Sequence, residues 1–466
     1  MTKDQRKRHL ILHDPNIYKG LLILSFPLML NNFIKTIHDI IDMYFVSSIP
    51  SFGTEAVSSI SLTFPIMWFF ISLGVGLSGA GTALISQQVG SGQMDQAKRY
   101  ASNLVTLSLI VGVALLLLSF FSAPLIMKWM GTTGYVFENS VKYLRIRAFE
   151  LPVMFLFFAY TAVRQSSGDT VTPVIYGVIT MVVNIVLSPI MITVLNYGVA
   201  GAAYATLIGN SVILPFGLRQ LFKAKSGVTI ERSYLVLDEA ITRKIIKIAV
   251  PASFGQAFTA VGFMVMNGMI VSYGIQTVAA FSVGNRIISL ILHPVMAIGG
   301  VLSAYLGQNI GNKNVSRARE TFKKAMVLSV GIMVIGSIGF MFIREWSASF
   351  FIKNDPVALA LCVEYMFYLL IGLPLMAAFQ TYMGTFTGTG DTKYTFILTI
   401  TRLWLLRVPL ILIFKNLTNL GSGGIWYAML ISNLLILFLG IYLYQKVDYQ
   451  PKIEIDKRRQ MEELPV

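Results

Sequence analysis

Long apolar stretches separated by short polar segments run along the whole chain. Each stretch is roughly 18 to 30 residues long, the length that an α-helix needs to cross the hydrocarbon core of a bilayer. A helix also satisfies its own backbone hydrogen bonds there. The pattern predicts an all-α membrane protein with twelve transmembrane helices. The apolar stretches lie at residues 21–46, 56–85, 104–121, 143–163, 173–195, 199–218, 245–271, 278–306, 325–343, 361–386, 395–414 and 424–444.

The second half of the sequence repeats the first. Pro27 matches Pro251, and Gly90 matches Gly311. The Gly-Asp-Thr triplet at 168–170 recurs at 390–392, and the segment 196–210 recurs at 419–433. Because the separation between matching positions is nearly constant, the repeat indicates duplication. Each copy has an even number of spans, so the repeats are parallel, and we expect two six-helix bundles around a central cavity.

Positive charge predicts the orientation of the spans. The chain has 37 Lys and Arg against 22 Asp and Glu, a net charge of +15. Lys and Arg next to spans mark the cytoplasmic side, so we expect a multi-pass plasma membrane protein with both termini cytoplasmic. An outer cluster at Lys142, Arg145 and Arg147 is the main exception. The expected division is a cytoplasmic segment 1–20, a first bundle 21–218, a linker 219–244, a second bundle 245–445 and a cytoplasmic tail 446–466.

Composition excludes several classes of function. Hydrophobic residues make up 55% of the chain and charged residues only 13%, too few for an ordinary soluble protein. The basic segments lack interleaved aromatic residues, so nucleic acid is not an expected partner. Cys362 is the single cysteine, and the four histidines show no metal-ligand spacing. No nucleotide-binding or nucleophile motif is present, so we expect no enzyme, no cofactor and a transport process driven by an ion gradient.

Charged side chains inside the first span are the main candidate for a working site. Asp39 and Asp42 share one helix face with Lys35, and His38 lies between them. Ionisable groups inside a membrane are costly and mark functional sites by default. Their counterparts in the second copy carry no charge: Thr259, Gly262, Phe263 and Met266. A self-contained structural ion pair is the alternative, but two acids against one lysine leave a carboxylate available.

Uncharged oxygen groups in the fifth and sixth spans complete the candidate site. Asn184 and Ser188 stand around Pro189, and Thr206 lies in the next span. Such ligands around an acid suit a small hard cation or a protonated carboxyl, although each side chain alone is also compatible with helix packing. Their repeat counterparts near Leu406, Ile411 and Met429 are apolar. Three arginines in later spans are expected to reach the membrane surface or to pair with acids: Arg286, Arg402 and Arg407.

The sequence resembles the multidrug and toxic compound extrusion (MATE) family over essentially its whole length. The resemblance rests on SFPLML at Pro27, HDIIDMYFV with Asp42, RQSSGDT and its repeat TGTGDT, NIVLSP, and YGVAGAAYAT ending at Thr206. It implies export of cationic or amphipathic compounds in exchange for protons or sodium ions. It also implies a cation site at Asp42, Asn184, Ser188 and Thr206, with sodium at Asp42, Asn184 and Thr206 as one option. Ser188 and Asp39 depart from the family pattern, so on one interpretation the second acid has moved from the fifth span to the first.

Two other functions compete with this one. A flippase for lipid-linked sugars has a similar architecture and favours arginines for anionic head groups, which Arg286, Arg402 and Arg407 could supply. A non-transporting scaffold or receptor is disfavoured by acids that are buried in only one copy. We expect membrane lipid and small-molecule substrates as the only partners, and a monomer.

Overall fold

The computed structural model describes residues 3–47, 53–224, 226–353 and 355–454, without the side chains of residues 3–5, 37–47, 53, 54 and 57. Within these ranges the chain forms long helices and contains no strand. The membrane-spanning helices, TM1 to TM12, are Ile17–Ser47, Gly53–Gly90, Met94–Trp129, the pair Gly134–Ala148 and Glu150–Ser166, Val171–Val194, Gly198–Lys223, Glu239–Val271, Ile275–Gly311, Val315–Phe351, Pro356–Thr389, Thr392–Leu417 and Gly423–Gln445. The predicted all-α fold with twelve transmembrane helices is confirmed.

TM4 consists of two helices, which meet at an angle of 40°. It begins at Gly134, earlier than the sequence pattern predicted, so the basic cluster near Arg147 lies on a helix and not in an outer loop. Arg147 is paired with Glu150, whose side chain is almost completely buried. Arg147, one of the three residues of the apparent exception to the charge rule, is therefore neutralised at the bend of TM4.

The two Gly-Asp-Thr turns adopt the same backbone conformation. Gly168 has φ of 75° and Gly390 has φ of 79°, a left-handed conformation that favours glycine. Each turn joins the fourth span of its half to the fifth, and both turns lie at one end of the bundle. We call this the GDT end. The first half means TM1 to TM6, and the second half means TM7 to TM12.

At the GDT end the two halves touch through paired glycines. A Cβ atom on Gly90 of TM2 would lie 2.0 Å from the backbone oxygen of Gln308, and one on Gly311 of TM8 would lie 2.0 Å from that of Gln87. Real Cβ atoms do not approach that closely, so only glycine permits this crossing. The contact is reciprocal, as expected for two helices related by the repeat.

Both ends of the described chain form straps across the same face. In the N-terminal helix Lys3–Leu12, Lys7 pairs with Asp169 of the first half at 3.2 Å, while the Leu10 carbonyl accepts a hydrogen bond from Tyr305 of the second half at 2.9 Å. Near the other end, Lys452 pairs with Asp391 at 3.1 Å and donates its backbone N–H to Gln87. Each strap therefore binds both halves, and the structure is closed at the GDT end.

Candidate functional site

The three predicted oxygen groups of the first half come together in the structure. Asn184 Nδ2 donates to Thr206 Oγ1 at 3.2 Å, and Ser188 Oγ donates to Asn184 Oδ1 at 3.3 Å. Asn184 and Ser188 are 2% and 0% exposed. Their spacing of four residues places them on one face of TM5. Together with the partly buried Thr206, they form a continuous polar cluster between TM5 and TM6.

Small residues let TM6 approach this face of TM5. A Cβ atom on Gly201 would lie 2.6 Å from the Met191 carbonyl oxygen, and one on Gly209 would lie 3.2 Å from the Cβ of Asn184. Close approach of backbones through small residues is the usual basis of helix packing in membranes. The YGVAGAAYAT segment thus positions Thr206 against Asn184.

Pro189 makes the backbone irregular next to the cluster. Proline has no N–H and cannot donate to the Ile185 carbonyl. TM5 then continues as a π-helical turn over Ile190–Val194, and such turns occur frequently at functional sites. Backbone carbonyl oxygens are among the ligands that hard cations take.

TM1 brings its charged segment to the level of the cluster. TM1 and TM5 both start at the GDT end, and they touch where Asn31 lies 3.0 Å from the Cβ position of Gly177. With a rise of about 1.5 Å per residue, positions 39 and 42 of TM1 stand at about the height of Asn184 and Ser188. The side chains of His38, Asp39 and Asp42 lie outside the described residues.

Lys35 is the one predicted charged side chain of TM1 that the structure describes. It is exposed, and it lies close enough to His293 of TM8 to interact electrostatically. The repeat gave no indication of this proximity, because the position opposite Lys35 in sequence is Thr259.

The second half contains two buried arginines that the sequence interpretation placed wrongly. Arg402 and Arg407 are 4% and 2% exposed and lie in a π-helical turn of TM11, Thr401–Arg407. They do not reach the surface, and neither forms an ion pair within 4.0 Å among the described side chains. Arg407 instead donates to Ser432 and Asn433 of TM12 at 3.0 and 2.7 Å.

The structural counterpart of Asn184 is Arg407 and not the neighbouring leucine. Asn184 packs against Gly209 of TM6, and the repeat places Ser432 opposite Gly209. Ser432 accepts a hydrogen bond from Arg407, so Asn184 and Arg407 occupy equivalent positions. The expectation of an apolar counterpart at Leu406 is therefore wrong. The register of the repeat shifts by one position within TM11, where the π-helical turn accommodates one residue more than a regular helix.

Two parallel six-helix halves with buried polar clusters in equivalent spans define a multi-span membrane transporter. The MatE family model matches residues 27–190 and 251–413, covering both halves. The chain belongs to the MatE family. The resemblance stated from the sequence is thus confirmed. Members of this family are transporters that need no cofactor, so the protein is a transporter and not an enzyme.

Relatives match the chain over nearly its whole length. The probable multidrug resistance protein YoeA of Bacillus subtilis is 25% identical over 445 residues, 92% of this chain and 94% of its own. The FAD transporter of Shewanella oneidensis is 26% identical over 457 residues, 95% and 97% of the two chains. A structure reported as the outward-facing conformation of a multidrug resistance MATE family transporter aligns with a TM-score of 0.87 at 24% identity, covering 96% and 98% of the chains. That last likeness shows the fold.

Proposed function

We propose that the protein is a secondary active exporter of cationic or amphipathic small molecules, driven by entry of protons or sodium ions. The cation site consists of Asp42 and Asp39 on TM1 together with Asn184, Ser188 and Thr206. The observation that carries this proposal is the hydrogen-bonded cluster of Asn184, Ser188 and Thr206, the first two of them buried, at the height of positions 39 and 42 of TM1. Relatives named as multidrug resistance proteins support the substrate class.

The GDT end is the cytoplasmic side in this proposal. Lys and Arg are concentrated in the segments at that end, which include both straps. Closure at the GDT end then corresponds to a state that is open, or about to open, to the outside. In this proposal, cation binding at the TM1 acids permits the halves to rock apart at the cytoplasmic side, since an uncompensated carboxylate within a membrane is costly.

Efflux of a fluorescent cationic dye from proteoliposomes tests the proposal directly. A proton gradient and a sodium gradient are imposed separately, and each is compared with vesicles that have no gradient. Asp42→Asn keeps the side-chain shape and removes the charge, so we expect normal folding and loss of gradient-driven efflux. Full gradient-driven efflux by the Asp42→Asn variant would contradict the assignment of Asp42 to the cation site.

The Asp39→Asn variant tests whether one acid or both acids of TM1 bind the driving cation. If Asp42 alone binds the driving cation, Asp39→Asn retains most of the gradient-driven efflux. If the acid missing at Ser188 is replaced by Asp39, the two variants are equally defective. Both variants are measured at the same protein density in the vesicles, with the rate at zero gradient subtracted.

An exporter of anionic, phosphate-bearing compounds is the second candidate. The observation in its favour is the burial of Arg402 and Arg407 without an acid partner among the described side chains. A relative named as an FAD transporter, 26% identical to this chain, is consistent with an anionic substrate. A flippase for lipid-linked sugars belongs to the same candidate class. Vesicles loaded with FAD in place of the cationic dye separate the two candidates, because only the second predicts release of FAD.

A further inference from the structure

We propose that Arg402 and Arg407, with Ser432 and Asn433, form a binding subsite for a phosphate group in the second half of the transporter. The inference rests on the proposed transport function, and it assigns a second site with charge opposite to that of the TM1 acids. The nearest occupant by chemistry is a phosphate monoester or diester, carried either by a soluble compound or by a lipid head group.

The charge of the two arginines has no counterpart within the second half. Residues 245–445 contain only five acids: Glu320, Glu345, Asp355, Glu364 and Asp391. Four of them lie at or near helix ends, and Glu364 lies beside Gly423, the first residue of TM12. Arg402, by contrast, is about 15 Å from the start of TM11 at a rise of 1.5 Å per residue. Buried charges in proteins are normally paired or bind an ion, so the missing partner is expected to be a ligand.

The π-helical turn directs both guanidinium groups to the same region. On a regular α-helix, residues five apart point about 140° away from each other. In a π-helix the hydrogen bonds run from residue i to i+5, so residues 402 and 407 stand one turn apart. Arg402 contacts Met376 of TM10, and Arg407 donates to Asn433 of TM12, whose amide nitrogen lies 3.5 Å from the Cβ position of Gly372, one turn before Met376. An arrangement that brings two like charges together in a membrane favours a doubly charged anion between them.

Arg402 is held only by weak interactions that a phosphate can replace. One of its terminal nitrogens lies 2.9 Å from the Met376 sulfur, its guanidinium carbon lies 4.0 Å above the Phe379 ring, and its Nε has no hydrogen-bond partner among the described residues. A thioether is a weak acceptor. A guanidinium group binds phosphate with two parallel hydrogen bonds. The hydroxyl of Ser432 and the amide of Asn433 hold Arg407 in place beside it.

Binding of a fluorescent nucleotide tests the subsite without transport. The probe is mant-AMP, titrated against the full-length protein in phosphatidylcholine nanodiscs, and mant-adenosine is the matched probe without a phosphate. We expect Arg402→Gln to raise the Kd of mant-AMP at least about tenfold, the loss of one charge-assisted pair, and to leave mant-adenosine unchanged. Arg402→Lys should give an intermediate Kd because it keeps the charge and loses the two-pronged geometry.

Arg344→Gln is the matched control. Arg344 also contacts a methionine sulfur, Met341 at 2.7 Å, and a phenylalanine ring, Phe367 at 5.4 Å, but it lies in the last turns of TM9. We expect no change in the Kd of mant-AMP for this variant. An unchanged Kd for Arg402→Gln, or equal binding of both probes by the native protein, would overturn the subsite.

Lipid composition identifies the source of the phosphate. If phosphatidylglycerol in the nanodisc competes with mant-AMP, the natural occupant is a lipid head group, and if it does not, the occupant is a soluble phosphate. Failure of mant-AMP to bind, together with normal export of the cationic dye, removes the subsite and leaves the proposed function intact. If the protein binds mant-AMP but exports no dye under any gradient, the subsite stands and the proposed function is wrong.

Discussion

TM5 and TM11 are equivalent helices of the two halves, and they differ most where the function is expected. Both carry a π-helical turn and a proline. TM5 presents the neutral groups of Asn184 and Ser188 toward TM6, whereas TM11 presents the positive charge of Arg407 toward TM12. The π-helical turns lie at different positions of the repeat, Ile190–Val194 in TM5 and Thr401–Arg407 in TM11, so both the backbone distortion and the side-chain chemistry differ between the halves. Equivalent helices of the two halves therefore carry different charges at their buried segments.

At the GDT end, in contrast to TM5 and TM11, the two halves make equivalent contacts. Gly90 and Gly311 make the same close contact in each direction, and Lys7 and Lys452 pair with equivalent aspartates at 3.2 and 3.1 Å. The glycine crossing and the lysine–aspartate pairs are therefore nearly the same in both halves. The comparison shows that the helix ends at the GDT end have kept equivalent contacts in both halves, while the buried segments of TM5 and TM11 differ in charge.

Replacement of the crossing glycines is expected to have the largest effect. Gly90→Ala and Gly311→Ala each place a methyl group about 2 Å from a backbone oxygen of the other half, which the closed state cannot accommodate. We expect both variants to shift the population away from closure at the GDT end by a similar amount. Gly300→Ala is the control on TM8, since a Cβ there meets no atom within 4 Å.

Distances between nitroxide labels at Met94 and Lys313, measured by double electron-electron resonance, report on that closure. Both glycine variants should lengthen the main distance, and Gly300→Ala should leave it unchanged. A longer distance in only one of the two variants would break the equivalence of the halves at this end.

The two Gly-Asp-Thr aspartates are expected to differ in their contribution to stability. Asp169 binds Arg164 and Lys7 and is 3% exposed, so Asp169→Asn leaves two positive charges unpaired. Breaking a buried pair costs about 3 to 5 kcal/mol. Asp391 pairs with Lys452, which also has Asp448 as a partner, so Asp391→Asn should cost about 1 kcal/mol. Thermal unfolding of the two variants side by side measures the difference. Equal losses would contradict the pairing described for each turn.

Acidification gives a smaller effect with a defined sign. Burial raises the pKa of Asp169, but the Arg164 charge, hydrogen bonds from Thr172 and Arg164, and the Lys7 charge outweigh it and lower the pKa from 3.8 to about 2. A lowered pKa means that the stabilisation is complete above about pH 4 and is lost as the pH falls through 2. We expect the melting-temperature gap between the native protein and Asp169→Asn to stay constant from pH 7 to pH 4 and to narrow below it. A gap that narrows already between pH 7 and pH 5 would contradict this pKa.

The sequence was sufficient to predict the spans, the duplication and the meeting of Asn184, Ser188 and Thr206. These features depend on hydropathy, on a constant offset and on a four-residue helical spacing, all of which are local or periodic. The bend of TM4 at Phe149 was missed because Arg147 and Glu150 become compatible with a membrane only as a pair, and pairing is a property of the folded chain. Oppositely charged residues three apart were the available signal.

The π-helical turns could not be predicted from hydropathy, since they change the rotation of a helix without changing its composition. For this reason the sequence comparison placed Leu406 opposite Asn184, one residue before Arg407. The straps were missed for another reason. Lys7 and Lys452 are far from their partners in sequence, and a basic segment next to a span indicates only which side of the membrane it occupies.

The central claim is that cation coupling belongs to the first half and not to the second. It is tested most directly by measuring gradient-driven efflux of one cationic dye for Asp42→Asn and Arg402→Gln in the same proteoliposome assay. Asp42→Asn is predicted to abolish the response to the driving gradient, and Arg402→Gln to keep the same dependence on proton or sodium concentration as the native protein. A driving-ion dependence that survives Asp42→Asn, or that changes in Arg402→Gln, would contradict the assignment of cation coupling to the first half.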